Sequence, residues 1–359
     1  MPRRLAALLL ALLATGLATA GAADARPVPA GFFGVMVNGP AIAPGFDLAA
    51  EARAMRAAGV RSWRVEMPWD SVEPARGTYA WAQTDREVAA AALGGMRVLG
   101  LVVRAPAWAS GSSNPFVPPR RPSDYAAFVT ALVARYGPHG SLWAENPGLP
   151  RRPVREWQIW NEPNIRVYFA RQPFAKPYAA LLRAAYKAVK RADPGATVVM
   201  AGLANFSWRD LAKAYAAGVR RWFDVAAVHP FSGRPANTLK IARLNRSVMN
   251  RSGDRRKPLW VTEYTWSSGK GKTRNHTVKG WETTEAGQAR RLRAGYRLLI
   301  GDRRALRLRR VYWYTWASVD RRSANSFDYS GLRKLTPDGT LRDKPALAAF
   351  RTMVRRYTR

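Results

Sequence analysis

The segment Trp157-Gln158-Ile159-Trp160-Asn161-Glu162-Pro163 sets an apolar, aromatic run directly against an amide, a carboxylic acid and a proline. Residues 154–160 are aromatic and β-branched, as a buried strand is. Pro163 has no N–H to give a sheet ladder, so the strand ends before it. Glu162 therefore stands at a strand's C-terminal rim in an apolar setting. Burial disfavours a charged carboxylate, and a carboxyl placed there keeps its proton near neutral pH, as a general acid must. A second apolar strand, Leu259-Trp260-Val261-Thr262-Glu263-Tyr264, also ends in an acid. Two carboxyl groups flanking a glycosidic bond serve as proton donor and nucleophile. This pattern assigns Glu162 as acid/base and Glu263 as nucleophile. The competing reading of either acid taken singly is a structural ion pair with a barrel arginine.

The elements that must position these acids alternate along the whole chain. Strand candidates are 32–37, 62–67, 97–103, 155–160, 197–201, 224–228, 259–262 and 310–314. Helical patterns fall at 48–58, 85–93, 123–136, 178–192, 208–217, 236–249, 285–300 and 346–357. Ser123 reads as the cap of the third helix, and Ala192-Asp193-Pro194-Gly195 ends the fourth with breakers. Eight βα units without a charge-rich linker predict an α/β fold, a single-domain (β/α)8 TIM barrel over 26–359. Function in such a barrel sits on the loops after the strands, and those at 105–121, 267–284 and 317–343 are long enough to wall a cleft. Strands four and seven lie across the lumen from one another, so both glutamates face one cleft.

Composition narrows the classes. Arg3 and Arg4 precede an apolar run, Leu5 to Leu17, with small-residue cleavage sites at Ala18-Thr19-Ala20 and Ala23-Asp24-Ala25. Residues 1–25 thus read as a signal peptide, with an uncleaved anchor as the alternative, and the chain as secreted or associated with the cell envelope. With no cysteine, thiol nucleophiles and cysteine metal sites are excluded. The three histidines, His139, His229 and His276, are not at ligand spacing, so no metal or organic cofactor is expected. The net charge of +35 is spread over scattered arginine pairs such as Arg220-Arg221 and Arg355-Arg356. Scatter fits a generally basic surface rather than a groove tracking a duplex, and no nucleic-acid motif accompanies it. Coding bias with solubility explains the charge; the sharper reading is attraction to an anionic cell-wall polymer, phospholipid or acidic polysaccharide. Lys270, Lys272 and Arg274, on one long loop, point the same way.

The chain resembles the clan A glycoside hydrolases, retaining enzymes on a (β/α)8 barrel. Asn161-Glu162-Pro163 after strand four and Glu263 after strand seven carry the resemblance. Trp63-Arg64-Val65-Glu66-Met67-Pro68-Trp69, Val72-Glu73-Pro74 and Gly77-Thr78-Tyr79-Ala80-Trp81 are similar to strand two of families 39, 5 and 42. Asp224 to Pro230 is similar to their strand six and Tyr314-Thr315-Trp316 to their strand eight. Family 39, in its bacterial endo-acting branch, is nearest, then family 5. The resemblance spans nearly the whole mature chain and implies a polysaccharide or oligosaccharide substrate and a monomer. It implies that Asn161 bonds the sugar 2-hydroxyl, that Arg64 holds Glu263 ionised, and that His229 is a polar group near the nucleophile. Trp316 becomes the floor under the sugar, with Trp69, Trp108 and Tyr264 as further platforms. Phe231 departs from the pattern, for many members carry there a tyrosine that donates to the nucleophile. Tyr264 or another hydroxyl takes over that bond, or the bond is absent. Two other functions fit the same residues: transglycosylation by the same carboxylates, and a non-catalytic polysaccharide- or cell-wall-binding barrel.

Overall fold

The computed structural model describes residues 27–273, 279–321 and 323–358. The expected signal peptide, Arg274 and His276 lie outside the described residues. Eight parallel strands close into a barrel in chain order. They are β1 Phe33–Met36, β2 Ser62–Pro68, β3 Arg97–Val103 and β4 Glu156–Ile159. β5 Thr197–Leu203, β6 Val225–Val228, β7 Leu259–Tyr264 and β8 Leu308–Tyr314 complete the ring, and β8 pairs back onto β1.

Each strand is followed by a helix on the outer layer. These are α1 Leu48–Ala57, α2 Ala82–Leu93, α3 Pro122–Tyr136, α4 Ala175–Ala192, α5 Ser207–Ala216, α6 Pro235–Arg251, α7 Glu285–Gly301 and α8 Pro345–Tyr357. Local chemistry starts some of them. The Asp47 side chain accepts from the Ala50 N–H ahead of α1, and Thr284 accepts from Gly287 ahead of α7. The expected Ser123 cap is displaced: α3 begins one residue earlier with Pro122 in its first turn, where a missing N–H costs nothing, and Arg121 makes no side-chain cap bond. A three-stranded sheet of β9 Ala317–Ser318, β10 Arg333–Leu335 and β11 Leu341–Asp343 lies in the last long loop.

Strand alternation sends every second side chain into the lumen. Leu99, Val199, Val225, Ala227, Trp260 and Tyr312 fill its middle as a cluster separate from the main core between barrel and helices. Below them Arg310 pairs with Glu156 and lies 4.3 Å over the Trp260 ring. Above them the lumen turns polar, with Arg64 from β2, Gln158 from β4 and Thr262 from β7 all buried. The pairing of β7 with β8 shifts register between Val261 and Tyr264. That irregularity lets both Thr262 and Glu263 serve the lumen and turns Tyr264 outward.

Candidate active site

The site is built from the C-terminal ends of four strands around one arginine. Arg64 is wholly buried, and a guanidinium cannot shed its charge, so each donor must find an acceptor. Its Nη1 donates to Glu263 Oε1 at 2.6 Å, its Nε to Gln158 Oε1 at 2.7 Å and its Nη2 to Asn161 Oδ1 at 2.8 Å. Gln158 passes the constraint on, donating to the Met200 carbonyl and to Thr262 Oγ1, each at 3.2 Å. Asn161 is thereby fixed through its oxygen, and its amide nitrogen has no protein partner among the described residues.

Glu162 follows β4 on a sharp turn. Trp160 has φ 67° and Glu162 φ 42°, both in the left-handed region that side chains adopt at a cost of about 1–3 kcal/mol. The turn is held by Trp160 N–H to the Val102 carbonyl, Trp160 Nε1 to the Tyr168 carbonyl and Glu162 N–H to the Gly202 carbonyl. Trp160 also packs edge-on against Phe169. A strained, over-determined rim of this kind presents the acid rather than letting it swing.

His229, at the end of β6, joins the two acids. Its Nδ1 lies 2.7 Å from Glu162 Oε1 and 3.8 Å from Glu263 Oε2, and its Nε2 lies 2.9 Å from Thr262 Oγ1. One carboxylate oxygen of each glutamate and a His229 nitrogen all fall within 4.8 Å of one another. Burial raises the Glu162 pKa to about 7, with the Arg64 charge opposing. Burial lowers that of His229 to about 4, with Glu263 opposing and Arg64 adding to the fall. Between about pH 4 and neutrality the shared proton therefore belongs to Glu162, which donates it to Nδ1, while the Nε2–H of a neutral imidazole donates to Thr262. The three groups could ligate a cation by type. The permanent Arg64 charge, bonded to Glu263 Oε1 at 2.6 Å, repels a second cation placed there, and His229 Nδ1 is engaged by Glu162 Oε1, so the surroundings do not favour a metal.

Gly202 makes this arrangement fit. A Cβ on it would stand 2.0 Å from His229 Nε2, so only glycine lets β5 pass the imidazole. Two tyrosines complete the pocket. Burial raises the Tyr168 pKa, and the charges of Glu162 and Glu263 raise it further. Burial also raises that of Tyr314, followed by Glu263 and Glu66, and its hydroxyl accepts from Asn38 Nδ2 at 3.1 Å. The sequence pattern singles out neither tyrosine as a site residue, nor Gln158, Thr262, Asn38 or Gly202. Tyr168 lies on an irregular loop without periodicity, whereas Tyr314 could have been found by asking which aromatic stands at the very end of β8.

Arg64, Asn161, Glu162, His229 and Glu263 converge as described; the expected aromatic platforms do not join them. Trp316 is fully buried, and its Nε1 donates at 2.6 Å to Glu51, which Arg333 also binds. It packs outside the lumen, and the partly exposed aromatic on this strand end is Tyr314. Trp69 is buried too, donating to Glu73 Oε2 at 2.7 Å and stacking on Phe128. Tyr264, turned outward by the register shift, places its hydroxyl 3.3 Å from Thr238 Oγ1 and packs on Trp266 and Tyr296. It gives Glu263 no bond. Trp108 is partly exposed, but its N–H is tied to the Glu73 carbonyl and Arg76 covers its ring at 4.2 Å. Phe231 packs edge-on against His229, and among the described residues Arg64 is the one hydrogen-bond donor to Glu263.

No family model matches the sequence, and no curated protein matches it. Solved structures do. A family 39 glycoside hydrolase from Bacteroides cellulosilyticus WH2 superposes with TM-score 0.65 at 24% identity, over 92% of this chain and 64% of that one. The GH5_18 protein of Streptomyces cattleya in complex with Manb1-4GlcNAc superposes with TM-score 0.66 at 21% identity, over 91% and 80% of the two chains. A monomeric β-xylosidase from Caulobacter crescentus CB15 gives TM-score 0.63 at 18% identity, over 91% and 68%. The likeness is one of fold. This chain spans less than two thirds of the length of the family 39 enzyme.

Proposed function

We propose that this chain is an exported retaining O-glycosidase that hydrolyses a β-linked polysaccharide or oligosaccharide by double displacement. The observation that carries the reading is the pair of glutamates with opposite surroundings in one cleft. Glu162 is buried and bonded to neutral His229, whereas Glu263 lies against the fixed positive charge of Arg64. Glu162 is thereby equipped to give up a proton, and Glu263 faces a permanent counter-charge. One oxygen of each lies within 4.8 Å of the other, so the two acids are close enough to act on one bond, as the closely spaced pair of a retaining enzyme does.

In this reading the Glu263 carboxylate attacks the anomeric carbon as the C–O glycosidic bond breaks, and the Glu162 proton passes to the leaving oxygen. Glu162, now ionised, takes a proton from water, whose oxygen attacks the anomeric carbon and releases Glu263. Asn161, its oxygen held by Arg64, turns its amide N–H groups to the sugar 2-hydroxyl, a contact that strengthens in the oxocarbenium-like transition state. Tyr314 and Tyr168 take the place of tryptophan as the apolar and hydroxyl-bearing wall of the cleft. Among solved structures with this fold, one is named a β-xylosidase and another holds Manb1-4GlcNAc, so β-xylosides and β-mannosides head the substrate candidates. The N-terminal leader pattern motivates export, and the basic surface motivates a monomer drawn to anionic wall polymer. A panel of aryl β-glycosides tests the reading: at least one should be turned over, and Glu162→Ala and Glu263→Ala should each lose that turnover. Turnover unchanged in either variant contradicts it, and carbohydrate binding without any turnover identifies a non-catalytic barrel.

A further inference from the structure

The opposite end of the barrel carries a second, unrelated feature. Arg56 in the last turn of α1, Arg61 entering β2, Arg97 opening β3 and Arg152 ahead of β4 line one cavity of about 510 Å3. These residues are far apart in sequence and meet only because parallel strands begin on the same face. Among the described residues no carboxylate lines the cavity, and none of the four arginines forms a salt bridge. The side chains converge rather than fan out. The point where a Cβ on Gly95 would stand lies 3.8 Å from the guanidinium carbon of Arg56 and 3.8 Å from that of Arg152. Arg61 is fixed from behind, its Nη1 donating to the Arg56 and Val60 carbonyls. Burial and the neighbouring Arg56 charge lower its pKa, as expected for a cation facing another without compensation.

Helix C-termini attract cations, and α1 accounts for part of this charge. It does not account for Arg97 and Arg152, which sit on other elements. The positive track also continues. An adjoining cavity of about 290 Å3 shares Arg97 and Arg152 and adds Arg151 and Arg155, of which Arg155 is paired with Asp193 at 3.3 Å. Its one carboxylate, Glu156, is taken by Arg310. Planar guanidinium forks match phosphate oxygens in pairs, and a multiply charged anion suits Arg56, Arg61, Arg97, Arg151 and Arg152, which have no carboxylate partner among the described residues, better than a single carboxylate does.

We propose that the N-terminal face of the barrel is a binding site for a phosphate-bearing polyanion, its phosphoryl groups held in succession by these two arginine-lined cavities. The site lies on the order of 15–20 Å along the strands from the glutamates, so it anchors or orients the protein without entering the reaction. The inference stands whether or not the chain is a glycosidase.

Isothermal titration of the full chain with inorganic pyrophosphate and with long-chain polyphosphate tests it. Both should bind saturably, with polyphosphate at least about tenfold tighter because it spans both cavities. Arg56→Gln/Arg152→Gln should weaken both by about tenfold or more, as loss of charge-assisted bonds does. Arg290→Gln/Arg297→Gln, which removes equal charge from exposed positions on α7, should leave both within about twofold. Circular dichroism and any glycoside turnover should be unchanged in both variants. Equal losses in the two variants would assign the binding to diffuse charge and overturn the site. Equal affinity for the two probes would overturn the polymer, and tighter binding of duplex DNA than of polyphosphate would replace it with a nucleic acid.

Discussion

Replacing Glu162 by glutamine should make the protein more stable at alkaline pH while removing its chemistry. In the folded chain burial raises this carboxyl from 4.5 to about 7. An acid whose folded pKa is raised contributes stability that is fully present below 4.5 and is lost as pH climbs through 7, because the unfolded chain gives up the proton first. The shift at about 1.4 kcal/mol per unit amounts to roughly 3 kcal/mol. Glutamine is uncharged at every pH and similar in shape, so Glu162→Gln should match the parent near pH 4 and exceed it by about 3 kcal/mol near pH 9. For a domain of this size, losing about 2.1 cal/mol/K of entropy per residue, that is a rise in Tm of about 4 °C. His229 works in the other direction. Its pKa falls from 6.5 to about 4, so its contribution is present above 6.5 and lost as pH falls toward 4. In the parent the two trends offset each other across mildly acidic pH, and the variant should show the acid-side loss alone. Calorimetric Tm at a series of pH values reads both effects. A Tm difference that is constant with pH, or a variant less stable than the parent near pH 9, would refute a buried, proton-bearing Glu162.

Other substitutions probe the surrounding shell. Gly202→Ala should displace the imidazole that a Cβ would meet at 2.0 Å, costing about 1–3 kcal/mol by overpacking and lowering kcat more than it raises KM; wild-type kcat in this variant refutes the positioning role of β5. Arg64→Met leaves Glu263 buried without its 2.6 Å partner and should cost about 3–5 kcal/mol in urea unfolding, along with most of the turnover. Trp316→Phe loses the bond to Glu51 and should lower Tm with KM unchanged, whereas a raised KM would return that ring to the cleft.

The legible part of this protein was the part governed by period. Apolar runs ending in Glu162 and Glu263 placed both acids on strand ends, and the β–α alternation placed those ends on one face of a barrel. What sequence could not supply was facing. Tyr264 points outward because β7 shifts register against β8, and Trp316 lies beyond the end of β8, where alternation no longer applies. Aromatic character marked both residues without saying which side of the barrel would bury them. Gly202 was invisible for a related reason, since a glycine inside a strand signals a close approach without naming what approaches. The arginines of the N-terminal face were lost in an abundance of basic residues, at positions that only the closed barrel brings together.

The most direct measurement is covalent trapping. Incubation with a panel of activated 2-deoxy-2-fluoro β-glycosides slows release of a glycosyl-enzyme, and peptide mass spectrometry then locates the added sugar. A stoichiometric adduct on the peptide bearing Glu263, absent in Glu263→Gln, is the expected result. An adduct on any other residue, or steady glycoside turnover in Glu263→Gln, would contradict the assignment of the two glutamates.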